Sequence, residues 1–289
     1  KNRISQIIWP KLRKEGKSFK ISFHTIGDFV KNSIFSKNEL YKFIPELGEI
    51  IINKTGLDVD LDESFFNFDF IIWDSGKSLI GFNLYSINRI YIDNRAPKHR
   101  KFFHPASMNP FLIRAMINSG LNSELIKLLI SGQECYFLDP FMGGGGMLLD
   151  ALDLKFSVIG IDLDYWMCRG TRMNLYDFEK KYVYTKLPWN ILRSTSLNIP
   201  LKSETVDLIA TDPPYGTSSS LKNSSFDVLL ENVLKECLRV LKSNRRIVIT
   251  VPSQFNLPKF IKTDQILTKI PNYVHRSLTR VIWIIEKNE

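Results

Sequence analysis

The spacing of apolar and polar positions changes character about a third of the way along the chain. Residues 18–24 (SFKISFH) alternate in part and predict a strand. Over residues 39–54 the apolar side chains Leu40, Phe43, Ile44, Leu47, Ile50 and Ile51 recur at helical spacing. Residues 65–73 and 78–85 read as two further strands, with Asp74-Ser75-Gly76-Lys77 supplying the turn between them. From Phe111 onward the pattern becomes a regular alternation. It predicts helices over 111–130, 147–154, 166–178 and 226–241, and strands over 135–138, 157–161, 206–211, 246–251 and 279–286. A weaker strand is expected near 263–270. Strands alternating with helices predict an α/β fold whose larger part is a doubly wound, mostly parallel sheet, with ligands at the C-terminal ends of its strands. The expected organisation is an α/β domain over 1–93, a basic, proline-flanked linker over 94–109 (within APKHRKFFHPASMNP), and the sheet domain over 110–289.

Composition narrows this picture. With 289 residues, 44% apolar and 24% charged, the chain matches a folded protein of about two domains and excludes global disorder. No apolar run approaches the ~20 residues of a spanning helix, so no membrane association is expected. The N-terminal KNRISQIIWPKLRK offers only Ile7-Ile8-Trp9 before Pro10, too short for a secretory signal. Cys135, Cys168 and Cys237 are far apart and odd in number, which fits a reducing cytoplasm rather than a disulfide framework. His24, His99, His104 and His275 are scattered, so no metal is expected.

The net charge of +9 is unevenly spread. Lys1, Arg3, Lys11, Arg13, Lys14, Lys17 and Lys20 face only Glu15 in the first twenty positions, and Arg95, Lys98, Arg100 and Lys101 form a second cluster. Such blocks suit a phosphate backbone, and equally a solvated face.

Three motifs carry chemistry. Leu138-Asp139-Pro140-Phe141-Met142-Gly143-Gly144-Gly145-Gly146 leaves a strand and enters a helix. Its glycines permit a tight turn and close ligand approach, with amides at a helix N-terminus. It is neither GxGxxG nor a phosphate-binding GxxxxGKS loop. Some twenty residues on, Val158-Ile159-Gly160-Ile161-Asp162-Leu163-Asp164 ends a strand in an acidic side chain that can accept from both ribose hydroxyls of an adenosine-containing cofactor. Asp162 lies closest to the strand end, with Asp164 as the alternative. The third motif, Thr211-Asp212-Pro213-Pro214-Tyr215-Gly216, follows an apolar strand that two prolines cannot continue. A carboxylate and carbonyls that accept from an exocyclic amine, beside a flat aromatic face for its base, suit methylation of that amine.

In this order the motifs resemble those of class I S-adenosyl-L-methionine-dependent methyltransferases that modify amines. Together with Phe102-Phe103-His104-Pro105-Ala106-Ser107-Met108-Asn109-Pro110 and His275-Arg276-Ser277-Leu278-Thr279-Arg280, they resemble the archaeal tRNA guanosine-10 N2-methyltransferases, relatives of the eukaryotic Trm-eleven-type enzymes. LRKEGKSFKISFH and ELGEIIINKTGLDVDLD are similar to a THUMP domain, which helps seat tRNA in that family. The resemblance implies a Rossmann-like class I methyltransferase domain behind an α/β THUMP-type RNA-binding domain. About fifteen residues precede Gly16, so the family's small ferredoxin-like domain is expected to be absent or cut off.

The resemblance also implies roles. Asp212, Pro213, Pro214 and Tyr215 would be catalytic. His104, Ser107, Met108, Asp139, Pro140, Phe141, Gly143, Gly145, Asp162 and Leu163 would bind S-adenosyl-L-methionine, with the His104–Met108 segment closing over it. Lys11, Arg13, Lys14, Lys17 and Lys20 would hold tRNA, and a small partner subunit is a further candidate. The chain departs from the family where Met142 and Gly144 replace a Cys and a Thr of its loop. It departs again where Ser194-Thr195-Ser196 stands in place of an adenine-binding Asp. The expected reaction is direct methyl transfer to the N2 amine of a guanosine turned out of its stack. The competing readings are an adenine-N6 methyltransferase on DNA or rRNA and an RNA-binding protein with a decayed methyltransferase fold.

Overall fold

The computed structural model describes residues 16–26, 37–85, 87–105, 107–182, 188–214, 223–258, 260–276 and 278–288. The chain divides into two compact units, Lys1–Ile87 and Asn88–Glu289.

In the first unit, β1 (Ser18–Ile26) lies between β2 (Asp58–Val59) and β3 (Phe66–Trp73), parallel to both, and β4 (Ser78–Asn83) runs antiparallel to β3. Burial alternates strictly along β3 (FNFDFIIW), the pleat sending Phe66, Phe68, Phe70 and Ile72 to one buried face. Leu47 and Ile51 of α1 (Lys37–Thr55), one helical turn apart, join those side chains and Phe19 in the core.

The second unit holds a seven-stranded sheet. Its strands are β5 (Tyr136–Asp139), β6 (Ser157–Asp162), β7 (Trp189–Arg193), β8 (Val206–Thr211), β9 (Leu241–Pro252), β10 (Ile266–His275) and β11 (Leu278–Glu286), in the order β10-β11-β9-β8-β5-β6-β7. The strands from β5 to β9 are parallel, and β11 and β10 add an antiparallel edge. Its central strands are apolar on both faces, as a sheet covered on both sides requires. One core packs Ile113, Met116, Leu148, Leu152 and Leu175 of helices α3 (Pro110–Gly120), α5 (Gly146–Asp153) and α6 (Tyr165–Tyr182) against the sheet. The other packs Phe226, Leu230, Val233, Leu234 and Cys237 of α7 (Asn223–Val240) on the opposite face. Strand order reverses between β5 and β8, and a ligand crevice belongs outside their carboxyl ends.

The structure corrects several expected elements. The single helix over 111–130 is two, α3 and α4 (Ser123–Ile130). Leu121 leaves the helical region, and the Asn122 side chain caps α4 by accepting the Leu125 N–H at 2.8 Å. Gly120 sits where a Cβ would lie 2.5 Å from Leu208 Cδ1, so α3 ends pressed on the sheet. Unexpected elements are β7 and the short helix α2 (Arg89–Asp93), while residues 263–265 form a 3-10 turn that precedes the longer β10.

Residues 94–105 and 107–109, expected as a basic linker, pack into the second unit. Arg95 is buried and pairs with Asp150 at 3.0 Å. The Phe102 ring lies against Gly170, where any Cβ would meet it at 2.2 Å. Half of the second basic cluster therefore faces inward.

Candidate active site

β5 and β8 pair in parallel, which brings the first and third motifs side by side. The Thr211 hydroxyl donates to Asp139 Oδ1 at 2.8 Å, and the Phe141 N–H donates to the same oxygen at 3.1 Å. Asp139 is buried, which pushes its carboxyl up to about 7, with Asp162 and Asp212 adding to the rise and the two hydrogen bonds opposing it.

The glycine loop between β5 and α5 has Gly143 and Gly145 at φ +48° and +78°, the left-handed region that side chains resist. A Cβ on Gly145 would stand 2.6 Å from Thr171 Cγ2 of α6, and the Thr171 hydroxyl donates to the Gly143 carbonyl at 2.6 Å. The loop is thus clamped to α6 from below its own backbone. From β6, Asp162 holds it from the other side: Oδ2 accepts the Gly143 N–H at 3.0 Å and Oδ1 accepts the Asp164 N–H at 2.9 Å. A carboxylate has about four lone-pair sites, so two remain for a ligand. Asp164 caps α6, accepting the N–H groups of Trp166 and Met167. The two acidic residues have separate tasks.

A third wall comes from residues 100–105, 107 and 108. Buried Asn174 of α6 accepts the Phe102 N–H at 2.8 Å and donates to the carbonyls of Phe102 and Gly144, each at 3.0 Å. Beyond it the Ser107 hydroxyl donates to the His104 carbonyl at 2.7 Å. Ser107 and His104 lie over Gly144, within 3.6 and 3.7 Å of where its Cβ would be.

These walls enclose a cleft of about 430 Å³, within the range of small-molecule sites. Of the expected residues, His104, Ser107, Met108, Asp139, Pro140, Phe141, Gly143, Asp162, Leu163, Asp212 and Pro214 line it. Gly145 and buried Pro213 do not; the first packs against Thr171. Tyr215, Lys11, Arg13 and Lys14 fall outside the described residues. Lys17 is exposed and Lys20 half-buried in the first unit. Arg100, Asp164, Met167, Ser194 and Ser196 line the cleft in addition, with Ser194 and Ser196 at the place where an adenine-binding Asp was expected.

Asp212 is held firmly. Thr250 of β9 donates its hydroxyl to Oδ1, and Arg280 of β11 donates from a guanidinium nitrogen to Oδ2 at 2.8 Å. The antiparallel edge of the sheet thereby reaches into the site, since Arg280 registers with Pro252 at the end of β9. Thr250 carries no sequence signal, whereas Arg280 ends the HRSLTR stretch already singled out.

Comparisons with known proteins place the chain among methyltransferases. Residues 97–282 match the family described as UPF0020, an RMKL-like methyltransferase domain. The chain is 32% identical over 243 residues to a tRNA (guanine(10)-N2)-dimethyltransferase of Methanothermobacter thermautotrophicus, covering 83% of this chain and 67% of that protein. It is 32% identical over 247 residues to the protein of the same name from Methanocaldococcus jannaschii, covering 84% and 64%. The chain therefore spans about two thirds of the length of these relatives. The crystal structure of TrmN from Thermus thermophilus aligns over 99% of this chain and 76% of its own, at 18% identity and a TM-score of 0.49.

Proposed function

The chain belongs to the UPF0020 family of RMKL-like methyltransferase domains, and from that premise we propose that it methylates the exocyclic N2 amine of a guanosine in tRNA. The position is G10, giving N2-methylguanosine and, on a second turnover, the N2,N2-dimethyl product. The position and substrate rest on the relatives' names together with a site built for an amine.

The cofactor is S-adenosyl-L-methionine, and the residues present fit it. Asp162 has acceptor sites left for ribose hydroxyls, the left-handed glycines keep side chains out of the cleft, and buried Asp139 suits a cationic neighbour. When bound, the cofactor supplies an electrophilic methyl on a sulfonium.

The observation that carries the reading is Asp212, anchored by Thr250 and Arg280 at the mouth of a cleft that also contains Asp139 and Asp162. An exocyclic amine of guanine is a poor nucleophile because its lone pair is delocalised into the ring. Accepting its N–H at Asp212 favours the pyramidal nitrogen that can attack. Once alkylated, that nitrogen becomes strongly acidic, so the Asp212 carboxylate suffices to take the proton. Arg280 thus fixes the position of the acceptor. We assign Tyr215 the base-stacking role, and the first unit, with exposed Lys17, the holding of the tRNA body by phosphates and shape.

Tritiated S-adenosyl-L-methionine, an unmodified tRNA transcript and the purified protein test this directly. Label is expected in N2-methylguanosine. Asp212→Ala is expected to slow transfer by about 10²–10³-fold, the cost of removing a group aimed at developing charge, while binding of S-adenosylhomocysteine persists. No label in tRNA would sink this reading, and label in adenine would support the adenine-N6 reading instead.

A further inference from the structure

Behind the glycine loop lies a cluster of three guanidinium groups and two carboxylates. Asp150, fully buried, accepts at Oδ1 from Arg95 at 3.0 Å and from Arg114 at 2.9 Å. Asp153 accepts from Arg114 and from the Tyr91 hydroxyl, with Arg95 at 3.7 Å. Arg95 and Arg114 thereby use both anions. Arg100 is the surplus cation. Its Nε donates to the Arg95 carbonyl at 2.9 Å, one terminal nitrogen is buried with no partner, and no carboxylate pairs with it among the described residues. A buried, unpaired charge is costly, and burial lowers this guanidinium to about 10 even with Asp150 nearby. Yet Arg100 lines the cleft, and its two terminal nitrogens stand 3.1 and 3.2 Å from where a Cβ of Gly146 would be, at the N-terminus of α5. The loop is bare of side chains at the point where the guanidinium reaches it.

We propose that Arg100 binds the α-carboxylate of the cofactor's methionine part, making this end of the cleft an anion subsite. The assignment rests on the cofactor reading above. Asp162, at the other end of the glycine loop, claims the ribose, and the methionine part then runs along the loop toward Gly146 and Arg100. A carboxylate placed there supplies the third anion that the cluster lacks and pairs with a planar donor fork suited to it.

Isothermal titration calorimetry with S-adenosylhomocysteine and its decarboxylated analogue tests the assignment without turnover. The wild type is expected to prefer the carboxylate-bearing ligand. Arg100→Met is expected to weaken S-adenosylhomocysteine about 10–100-fold and to leave the decarboxylated analogue unchanged, so that the preference disappears. Arg100→Lys should restore part of it, and it carries the test should Arg100→Met fail to fold. Were Arg100 only a counter-charge for Asp150, both ligands would weaken equally, and that result overturns the proposal. An undiminished preference overturns it too. If the wild type binds neither ligand, the cofactor reading itself falls.

Discussion

Asp139 is 3% exposed and its carboxyl is raised from the ordinary 3.8 to about 7, chiefly by burial. Asp139→Asn removes the ionisation while keeping an amide oxygen for the Thr211 hydroxyl and the Phe141 N–H, both of which bond to Oδ1. Between pH 3.8 and 7 the unfolded chain has lost a proton that the folded chain keeps. The folded state then binds more protons, so this group's contribution to stability falls as pH rises, by about 1.4 kcal/mol per unit at most, and levels off above 7. Integrated over the window and reduced for local relaxation, the loss is about 2–4 kcal/mol. The Asn variant has no such loss, so its stability relative to wild type should climb by that amount across the same window. Unfolding by urea, followed by circular dichroism without cofactor at a series of pH values, reads the difference. A difference that stays constant with pH, or that shrinks as pH rises, would refute the reasoning. The same charge serves function. A cationic cofactor favours the ionised carboxylate, so affinity for S-adenosyl-L-methionine should rise with pH up to about 7 in the wild type and stay flat in the variant.

Gly145→Ala forces a side chain into φ +78° and against Thr171 at 2.6 Å, for an expected loss of about 2–4 kcal/mol, read as a lower Tm. Arg280→Met releases one oxygen of Asp212 and should lower kcat about tenfold with the KM for S-adenosyl-L-methionine unchanged, the split expected of a positioning residue that never touches the cofactor. Asn174→Ala removes three hydrogen bonds that tie Phe102 and Gly144 together and should weaken S-adenosylhomocysteine binding about tenfold, measured by calorimetry.

Much of the second unit was legible because the signal is local. Apolar runs followed by Asp-Pro or by Gly-Ile-Asp mark strand ends, and those ends are where the cleft forms. The break between α3 and α4 is hidden for the same reason: apolar periodicity runs through it, and only Asn122-Ser123-Glu124 hints at a cap. β7 was missed because it is short and its residues are half-exposed at the sheet edge. The charge pattern gives no sign that Arg95 turns inward onto Asp150, fifty-five positions away, or that Arg100 is half-buried beside it. Nothing near Arg95 in sequence announces that partner. Asn174 shows the same limit, being a buried amide on an otherwise ordinary helix whose three bonds reach across to residues 102 and 144. Gly145, expected to bind the cofactor, packs against Thr171 rather than lining the cleft.

The central claim is that Asp212 and its surrounding cleft deliver a methyl group to the N2 amine of one guanosine. Two otherwise identical tRNA transcripts test it most directly, one with guanosine at position 10 and one with inosine, which lacks only that amine. Nucleoside mass spectrometry after reaction should find N2-methylguanosine, and on longer incubation the dimethyl form, in the first transcript and no methylation in the second. Equal methylation of the two transcripts would contradict the account.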